Sequence, residues 1–247
     1  MRNPANADYQ CPFINGQCVK PGHILDGPYP VCSIRQRTNP RLITVCPKRF
    51  LENDLMADVV AHCWPGKPPK NPRFAHEIRM APFGQVDMVV ADYNAQAHSI
   101  REFVSVELQA VDITGSVEPA YSALLNSEPE VRAKYGLNWA NVRKRYIDQL
   151  VAKCFYHHQW NTRVVAVMQS PLYDYFRTHM QFDEIAPGSG TVDVAFLLYD
   201  YVEGDVHHSL VFDRVVGTSH NSLMLSTLYQ KTPPKADFER RILERLQ

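Results

Sequence analysis

Two stretches of alternating sequence, VDMVV and SVELQA, carry the side chains best suited to chemistry. Asp87 lies in the first stretch, and Glu107 and Gln109 lie in the second. Alternate residues of a β-strand point to the same face, so Glu107 and Gln109 share one face of their strand. If the two strands pair, Asp87 and Glu107 come together, and two converging carboxylates suit a hard cation such as Mg2+. Such an ion activates a bound water and neutralises charge that develops on a phosphate during in-line displacement.

These carboxylates also have a simpler interpretation as surface charges. An alternating strand needs polar residues on its solvated face, and Asp and Glu are common there. The catalytic interpretation gains support from the order of elements around them, a helix, a hairpin that bears Asp, and an apolar strand that reads Glu-x-Gln.

Periodicity and turn residues predict the elements that must position these side chains. A helix is expected directly after Cys46, over the stretch PKRFLENDLMADVVAHCW. The other predicted elements are strands at 75–80, 86–93 and 101–113, a helix at 139–160, a strand at 162–170, a short helix at 171–180, a strand at 192–202 and a helix at 236–247. This order predicts an α/β fold with a mixed sheet.

A turn at 81–85 is expected to close the first two strands into a hairpin. The hairpin would place Glu77, Arg79 and Asp87 on one face. The opposite, apolar face would then hold Ile78, Met80, Val86, Met88 and Val90.

An Asp on the second strand, followed by Glu-x-Lys on the third, is typical of PD-(D/E)xK nucleases, and this chain resembles them with two departures. Val86 stands where that superfamily has Pro, and Gln109 stands where it has Lys. The Gln variant resembles the NotI family of restriction endonucleases. That family also has four metal-binding cysteines ahead of the core, with a CPxRF-like sequence at the last one. Here CPKRFLEN occupies 46–53, and the resemblance covers roughly residues 11–170.

The resemblance implies roles for individual residues. Asp87 and Glu107 would bind the catalytic Mg2+ with the backbone carbonyl of Leu108, and Gln109 would orient the attacking water. Because an amide carries no positive charge, more of the electrostatic stabilisation is expected from the metal. Glu52 is a candidate for a supporting acidic residue and so is Glu77, although each could equally be a surface charge.

The resemblance also implies a restriction-endonuclease-like mixed central sheet flanked by helices. The protein would act as a homodimer on double-stranded DNA and cut one phosphodiester in each strand of a palindromic, GC-rich site, leaving 5′-phosphates. A cognate DNA methyltransferase would protect the host. Two alternatives stay open: a metal-stabilised DNA-binding module whose nuclease site has decayed, favoured by Gln109, and a repair or mobile-element nuclease of the same superfamily.

Four of the six cysteines lie in the first 46 residues, at Cys11, Cys18, Cys32 and Cys46, with spacing C-x6-C-x13-C-x13-C. This segment is rich in Pro, Gly and Asn and cannot build its own hydrophobic core. The spacing lacks the C-x2-C pairs of common zinc sites, and four unconnected cysteines are the alternative. The NotI resemblance implies a structural iron, with zinc as the chemical alternative. We therefore expect a four-cysteine metal-binding lobe at 1–46 and a nuclease core with C-terminal DNA-recognition and dimerisation elements at 47–247.

Other polar residues are candidates for DNA contacts or metal binding. Arg35, Arg37, Arg41 and Lys48 of the lobe could face DNA, where arginine reads guanine edges. The irregular, polar stretch SHNSLMLSTLYQKTPPK could reach base edges as well. His157 and His158 are adjacent at a helix end and cannot both face one ion, so a helix C-terminal capping role is favoured for them.

The composition excludes several classes of protein. The 247 residues are 45% hydrophobic and 21% charged with zero formal net charge, which is typical of a globular chain and argues against a purely electrostatic DNA binder. There is no run of 18 apolar residues and no basic start followed by an apolar stretch, so membrane spanning and secretion are not expected. A bacterial cytoplasmic location is expected instead. GSGT lacks the lysine of a phosphate-binding loop, so ATP dependence is not expected.

Overall fold

The fold is known from a computed structural model, which describes residues 4–20, 25, 27–36, 39–82, 84–129, 136–204, 208–229 and 234–246. Two features singled out in the sequence lie outside these ranges, Arg37 and the stretch 230–233. No helix in the described part of the chain has the length and apolar character needed to cross a membrane.

The described residues form twelve strands, six α-helices and two short 3-10 helices. The strands are β1 (Gln10–Cys11), β2 (Gly16–Gln17), β3 (Ser33–Gln36), β4 (Asn39–Thr44), β5 (Pro72–Arg79), β6 (Gln85–Asn94), β7 (Ser99–Gln109), β8 (Ile113–Thr114), β9 (Gly136–Leu137), β10 (Val164–Gln169), β11 (Val194–Glu203) and β12 (His208–Thr218). The helices are α1 (Leu55–His62), α2 (Glu118–Leu125), α3 (Trp139–Gln159), α4 (Ser170–His179), α5 (His220–Leu228) and α6 (Lys235–Leu243), and the 3-10 helices are Pro4–Ala7 and Pro47–Glu52.

A six-stranded mixed sheet in the order β12-β11-β10-β7-β6-β5 forms the centre of the fold. The strands β5, β6 and β7 are a meander of antiparallel neighbours. The strands β7, β10 and β11 run parallel to one another, and β12 closes the sheet antiparallel to β11. A parallel pair needs a crossover connection, and α3 lies in the one that joins β7 to β10.

Hydrophobic layers cover both faces of this sheet. Every residue of β10, VVAVMQ, is buried, as expected for a central strand packed on both sides. One face packs against the 3-10 helix at Pro47–Glu52 and against α1, through Phe50, Leu55 and Val59. The other face packs against α3, α4 and α5. The predicted α/β fold, with a mixed central sheet flanked by helices, is therefore confirmed.

The long helix predicted after Cys46 is wrong in its first part. A 3-10 helix, Pro47–Glu52, comes first, and α1 begins only at Leu55. Asp54 explains the restart, because its side chain accepts a hydrogen bond from the Ala57 backbone N–H and so caps the new helix.

Two further predictions fail at the edges of the fold. Part of the stretch expected to be irregular forms α5, whose first turn is capped by Ser219 through the Ser222 N–H. Ile78, predicted to lie on the apolar face, is 43% exposed. The reason is that β5 is an edge strand, and its residues lie outside the two hydrophobic layers that cover the centre of the sheet.

His157 joins α3 to the central sheet. Its ring is fully buried, and Nδ1 lies 2.7 Å from the Lys153 carbonyl oxygen, so Nδ1 carries the proton. Nε2 then accepts the hydrogen bond of the Ser105 hydroxyl on β7, at 2.7 Å. Burial lowers the pKa of His157. The predicted helix-capping role is therefore wrong for His157, which bonds within the helix and to β7. The ring of His158 has its Nδ1 atom 2.9 Å from Asp193 Oδ1.

The apolar face of α3 should account for much of the stability. Leu150 is 1% exposed, so Leu150→Ala is expected to lower the free energy of unfolding by about 2–5 kcal/mol, because it leaves a cavity in the core. Leu228 is 67% exposed, and Leu228→Ala should change the same quantity by less than about 0.5 kcal/mol. Urea denaturation of the two variants measures both values, and equal losses would contradict this packing.

His157 should make stability pH-dependent. Its folded pKa lies below the ordinary 6.5, so the unfolded chain binds a proton first as the pH falls, and stability declines below about pH 6.5. The slope from this group is at most about 1.4 kcal/mol per pH unit. His157→Gln keeps a donor and an acceptor but does not titrate, so its urea-denaturation stability should decline less between pH 7 and 5. Equal slopes for the two proteins would refute the assignment.

Candidate active site

Asp87 and Glu107 come together where β6 begins and β7 ends. The register pairs Met88 with Val106, so the next residues along the two antiparallel strands are Asp87 and Glu107. Both line a cavity of about 280 Å3 between the sheet and α3. Gln109 lines the same cavity, so the structure brings the three predicted residues together.

The backbone of β7 holds Asp87 in place. Asp87 is half-buried, and its Oδ2 accepts a hydrogen bond from the Leu108 N–H at 2.8 Å. A backbone amide is fixed by the sheet, so it restrains the carboxylate more firmly than a surface side chain would. The contact couples the start of β6 to the end of β7.

Glu107 is buried beside a lysine. Its carboxylate is 9% exposed, and its Oε1 lies 2.5 Å from the ammonium nitrogen of Lys153 on α3. Burial raises the pKa of Glu107 to about 7, because a buried carboxylate loses its hydration. The Lys153 ammonium lowers the pKa of Glu107, and the charge of Asp87 raises it.

Lys153 is a site residue that the sequence analysis missed. Its side chain is 6% exposed, and its ammonium also donates to the Gln85 carbonyl oxygen at 2.8 Å. A signal was present in the sequence, because position 153 lies at helical spacing from the apolar residues Tyr146 and Leu150. A lysine within such an apolar stripe is expected to be buried with it. A buried lysine almost always has a partner, so this position could have been singled out.

Tyr146 and Gln149 of α3 complete the lining of the cavity together with Gly84, Gln85 and Leu108. The Tyr146 hydroxyl is buried and has no hydrogen-bond partner among the described residues. Burial raises the pKa of Tyr146, and the carboxylates of Glu107 and Asp87 raise it further, which places this hydroxyl within the field of both acids.

Gln109 does not direct its amide group at the carboxylates. Its Nε2 donates to the Ala110 carbonyl oxygen at 2.5 Å. The side chain is half-buried at the edge of the cavity. In this arrangement one of the two amide N–H groups is already used.

Neither of the two candidate supporting acids lies in this cavity. Glu52 accepts a hydrogen bond from the Leu210 N–H at 3.1 Å and pairs with Arg49 at 3.0 Å, and it lines a different cavity beside the cysteine segment. Glu77 is exposed on the edge strand β5, where its backbone has a φ of +53°. Among the described residues, the acids of the cavity are Asp87 and Glu107.

The four N-terminal cysteines lie at the ends of two small hairpins. Cys11 ends β1, and Cys18 directly follows β2, where its N–H donates to the Tyr9 carbonyl oxygen. Cys32 directly precedes β3, and its carbonyl oxygen accepts the N–H of Val45, next to Cys46. Each hairpin therefore brings together one pair of cysteines.

The four thiols interact both within a hairpin and between the two hairpins. The Cys32 thiol donates a hydrogen bond to Cys46, which raises the pKa of Cys32 and lowers that of Cys46. Burial raises the pKa of Cys18, and the nearby thiols of Cys46 and Cys11 raise it further. Within the described ranges, however, no group of three or more His, Cys, Asp or Glu side chains forms a cluster that could hold a metal ion.

Two arginines of the cysteine segment, proposed above as DNA contacts, connect it to the central sheet. Arg35 pairs with Glu203 at 2.8 Å, and Arg41 pairs with Asp200. Both acids belong to β11. These guanidinium groups are therefore paired with acids of the central sheet.

Comparison with known proteins assigns the chain to a family. A search of curated proteins gave no match. The family model described as restriction endonuclease NotI matches residues 3–210 of the 247, which includes the cysteine segment, Asp87, Glu107 and Lys153. Because the match covers most of the chain and includes the residues that line the candidate site, the protein belongs to the NotI restriction endonuclease family.

Proposed function

We propose that the protein is a type II restriction endonuclease that hydrolyses phosphodiesters of double-stranded DNA at a specific site. The observation that carries the proposal is the juxtaposition of Asp87 and Glu107 in one cavity beside α3. Family membership indicates the class of reaction, and the residues of the cavity are the groups proposed to carry it out.

The donor set of the cavity fits Mg2+. This ion keeps several waters and takes one or two carboxylates in nucleotide-cleaving sites, and the cavity offers Asp87 and Glu107. Asp87 Oδ2 is occupied by the Leu108 N–H, and Glu107 Oε1 by Lys153, so the second oxygen of each acid is the one offered to a cation. When bound, Mg2+ would polarise the phosphate and lower the pKa of a coordinated water.

The side chains would orient the reactants for in-line displacement. A water oxygen would form the new bond to phosphorus as the bond from phosphorus to O3′ breaks. One proton of the water would leave to solvent and the O3′ atom would gain one, which gives a 5′-phosphate and a 3′-hydroxyl. Gln109 would orient the water after its amide turns from the Ala110 carbonyl, and the Leu108 carbonyl would complete the metal ligands.

The protein would act as a homodimer on a palindromic, GC-rich site. Two identical active sites related by a two-fold axis can address two antiparallel DNA strands, which is the symmetry argument for both features. A cognate DNA methyltransferase would protect the host DNA from such an enzyme.

The four cysteines would hold a structural metal, iron or zinc, if the two pairs, which do not form one cluster among the described residues, draw together around it. Two hairpins bring Cys11 near Cys18 and Cys32 near Cys46, and electrostatic contacts link the two pairs. Four thiolates suit either metal, and a site with four protein ligands has no open position for catalysis. The energy of binding would then stabilise a segment that has little hydrophobic core of its own.

A decayed nuclease that only binds DNA is the second candidate. It is favoured by Gln109, an uncharged residue that donates one of its two amide N–H groups to the Ala110 carbonyl oxygen. A repair or mobile-element nuclease of the same superfamily would share the cavity but act on damaged or branched ends. Cleavage of intact DNA into discrete fragments separates these three functions.

The carboxylates should be essential for cleavage. Purified protein with Mg2+ should cut unmethylated phage DNA into discrete bands, and EDTA should abolish the bands. Asp87→Asn and Glu107→Gln should each lower the cleavage rate by roughly 100-fold or more, because each removes a charge that would hold the cation. Asp148→Asn, at an exposed acid of α3, is the matched control and should cut normally. Intact DNA with the unaltered protein, or bands that survive Asp87→Asn, would argue against a nuclease.

The metal of the cysteine segment should be measurable by elemental analysis. We expect about one iron or zinc per chain, and Cys32→Ser should lose most of it because one thiolate ligand is removed. Cys63→Ala, at a buried cysteine on the α1 side of the sheet, should keep it. Metal-free wild-type protein that is folded and active would contradict a structural metal.

A further inference from the structure

The cavity contains a buried cation that no motif assigns. Lys153 lies on α3 rather than on β7, and its ammonium is held between Glu107 Oε1 at 2.5 Å and the Gln85 carbonyl oxygen at 2.8 Å. Burying a lysine is unfavourable unless it is paired. A buried lysine in this cavity is therefore expected either to stabilise the fold or to take part in the chemistry of the site.

Position 109 cannot supply this charge. Gln109 is neutral, and its amide donates to the Ala110 carbonyl. An ammonium has three N–H donors, and the contacts to Glu107 and Gln85 use two of them. No other described residue accepts a hydrogen bond from this ammonium, so the third N–H is left for a ligand in the cavity.

The surroundings of Lys153 hold it rigidly and offer space for a ligand. Its own carbonyl accepts the buried Nδ1–H of His157, which fixes this turn of α3 against β7. Tyr146 also lines the cavity and is 4% exposed. Its hydroxyl has no hydrogen-bond partner among the described residues. An unpaired buried donor beside a buried ammonium indicates a site built for oxygen atoms that the free protein does not provide.

We propose that Lys153 is the catalytic cation of the site, and that its ammonium contacts a non-bridging oxygen of the scissile phosphate. This assignment rests on the nuclease function proposed above and changes the role of α3 from scaffold to contributor. Negative charge grows on the phosphate as the water attacks, and a fixed ammonium stabilises that charge at short range. Lys153 keeps its proton throughout and transfers none. The Tyr146 hydroxyl lies on the same side of the cavity and is a second donor for the same group of oxygens.

The test is a swap of the charge between helix and strand. Lys153→Gln keeps an N–H donor for the Gln85 carbonyl but removes the charge, and it should lower the single-turnover cleavage rate roughly 100-fold or more. Its DNA binding in Ca2+ should stay within about threefold of wild type, because remote contacts supply most affinity. Adding Gln109→Lys to this variant should recover at least about tenfold of the lost rate, since the second lysine returns a cation to the same cavity. Lys144→Gln, at an exposed lysine of the same helix, is the control and should cut normally.

The outcomes separate this inference from the proposed function. If wild-type protein cuts and Asp87→Asn does not, but Lys153→Gln cuts within threefold of wild type, the nuclease stands and the role of Lys153 is refuted. If Lys153→Gln loses its cooperative thermal transition and Gln109→Lys does not recover cleavage, Lys153 is a structural residue and the inference is overturned. If wild-type protein does not cut at all, the proposed function fails and this assignment fails with it.

Discussion

The ion pair between Lys153 and Glu107 joins the two halves of the fold at the candidate site. Its two charges come from elements far apart in sequence, a strand of the meander and the crossover helix, and both are almost completely buried. A buried charge without its partner is strongly unfavourable, so each group restricts where the other can lie. The apolar face of α3 places the helix over the sheet, and this contact then restricts the orientation of Glu107 and the shape of the cavity. The neighbouring contact of His157 with Ser105 fixes the same helix from the next turn.

The second constraint is the antiparallel pairing of β6 and β7. It places Asp87 next to Glu107, and the Leu108 N–H then fixes one carboxylate oxygen. Burial is the main cause of the raised pKa of Glu107, and repulsion by the like charge of Asp87 raises it further. A cation entering the cavity would relieve this repulsion. The sheet thus holds the acids in an arrangement that favours a positively charged ligand.

Much of this could be predicted from the sequence because strand periodicity is local. The alternation of SVELQA was enough to place Glu107 and Gln109 on one face, and the turn after Arg79 was enough to pair the first two strands. Lys153 was missed because the helix pattern identifies which face is buried but not what a polar residue on it contacts. Ile78 was misplaced because an edge position depends on the order of all six strands. Glu52 was an open candidate because its partners, Arg49 and Leu210, include one from the far end of the chain.

The crossover between β7 and β10 has a consequence for the timing of synthesis. Glu107 and Lys153 are 46 residues apart, and α3 has no strand to return to until β10 has been made. A chain still emerging from the ribosome therefore has both acids but lacks the helix that completes the cavity. The parallel pairing of β7 with β10 closes the crossover that contains this helix, and it is a long-range contact. The cavity of such a protein can be complete only after Gln169, the last residue of β10 and about two-thirds of the way along the chain, has been made.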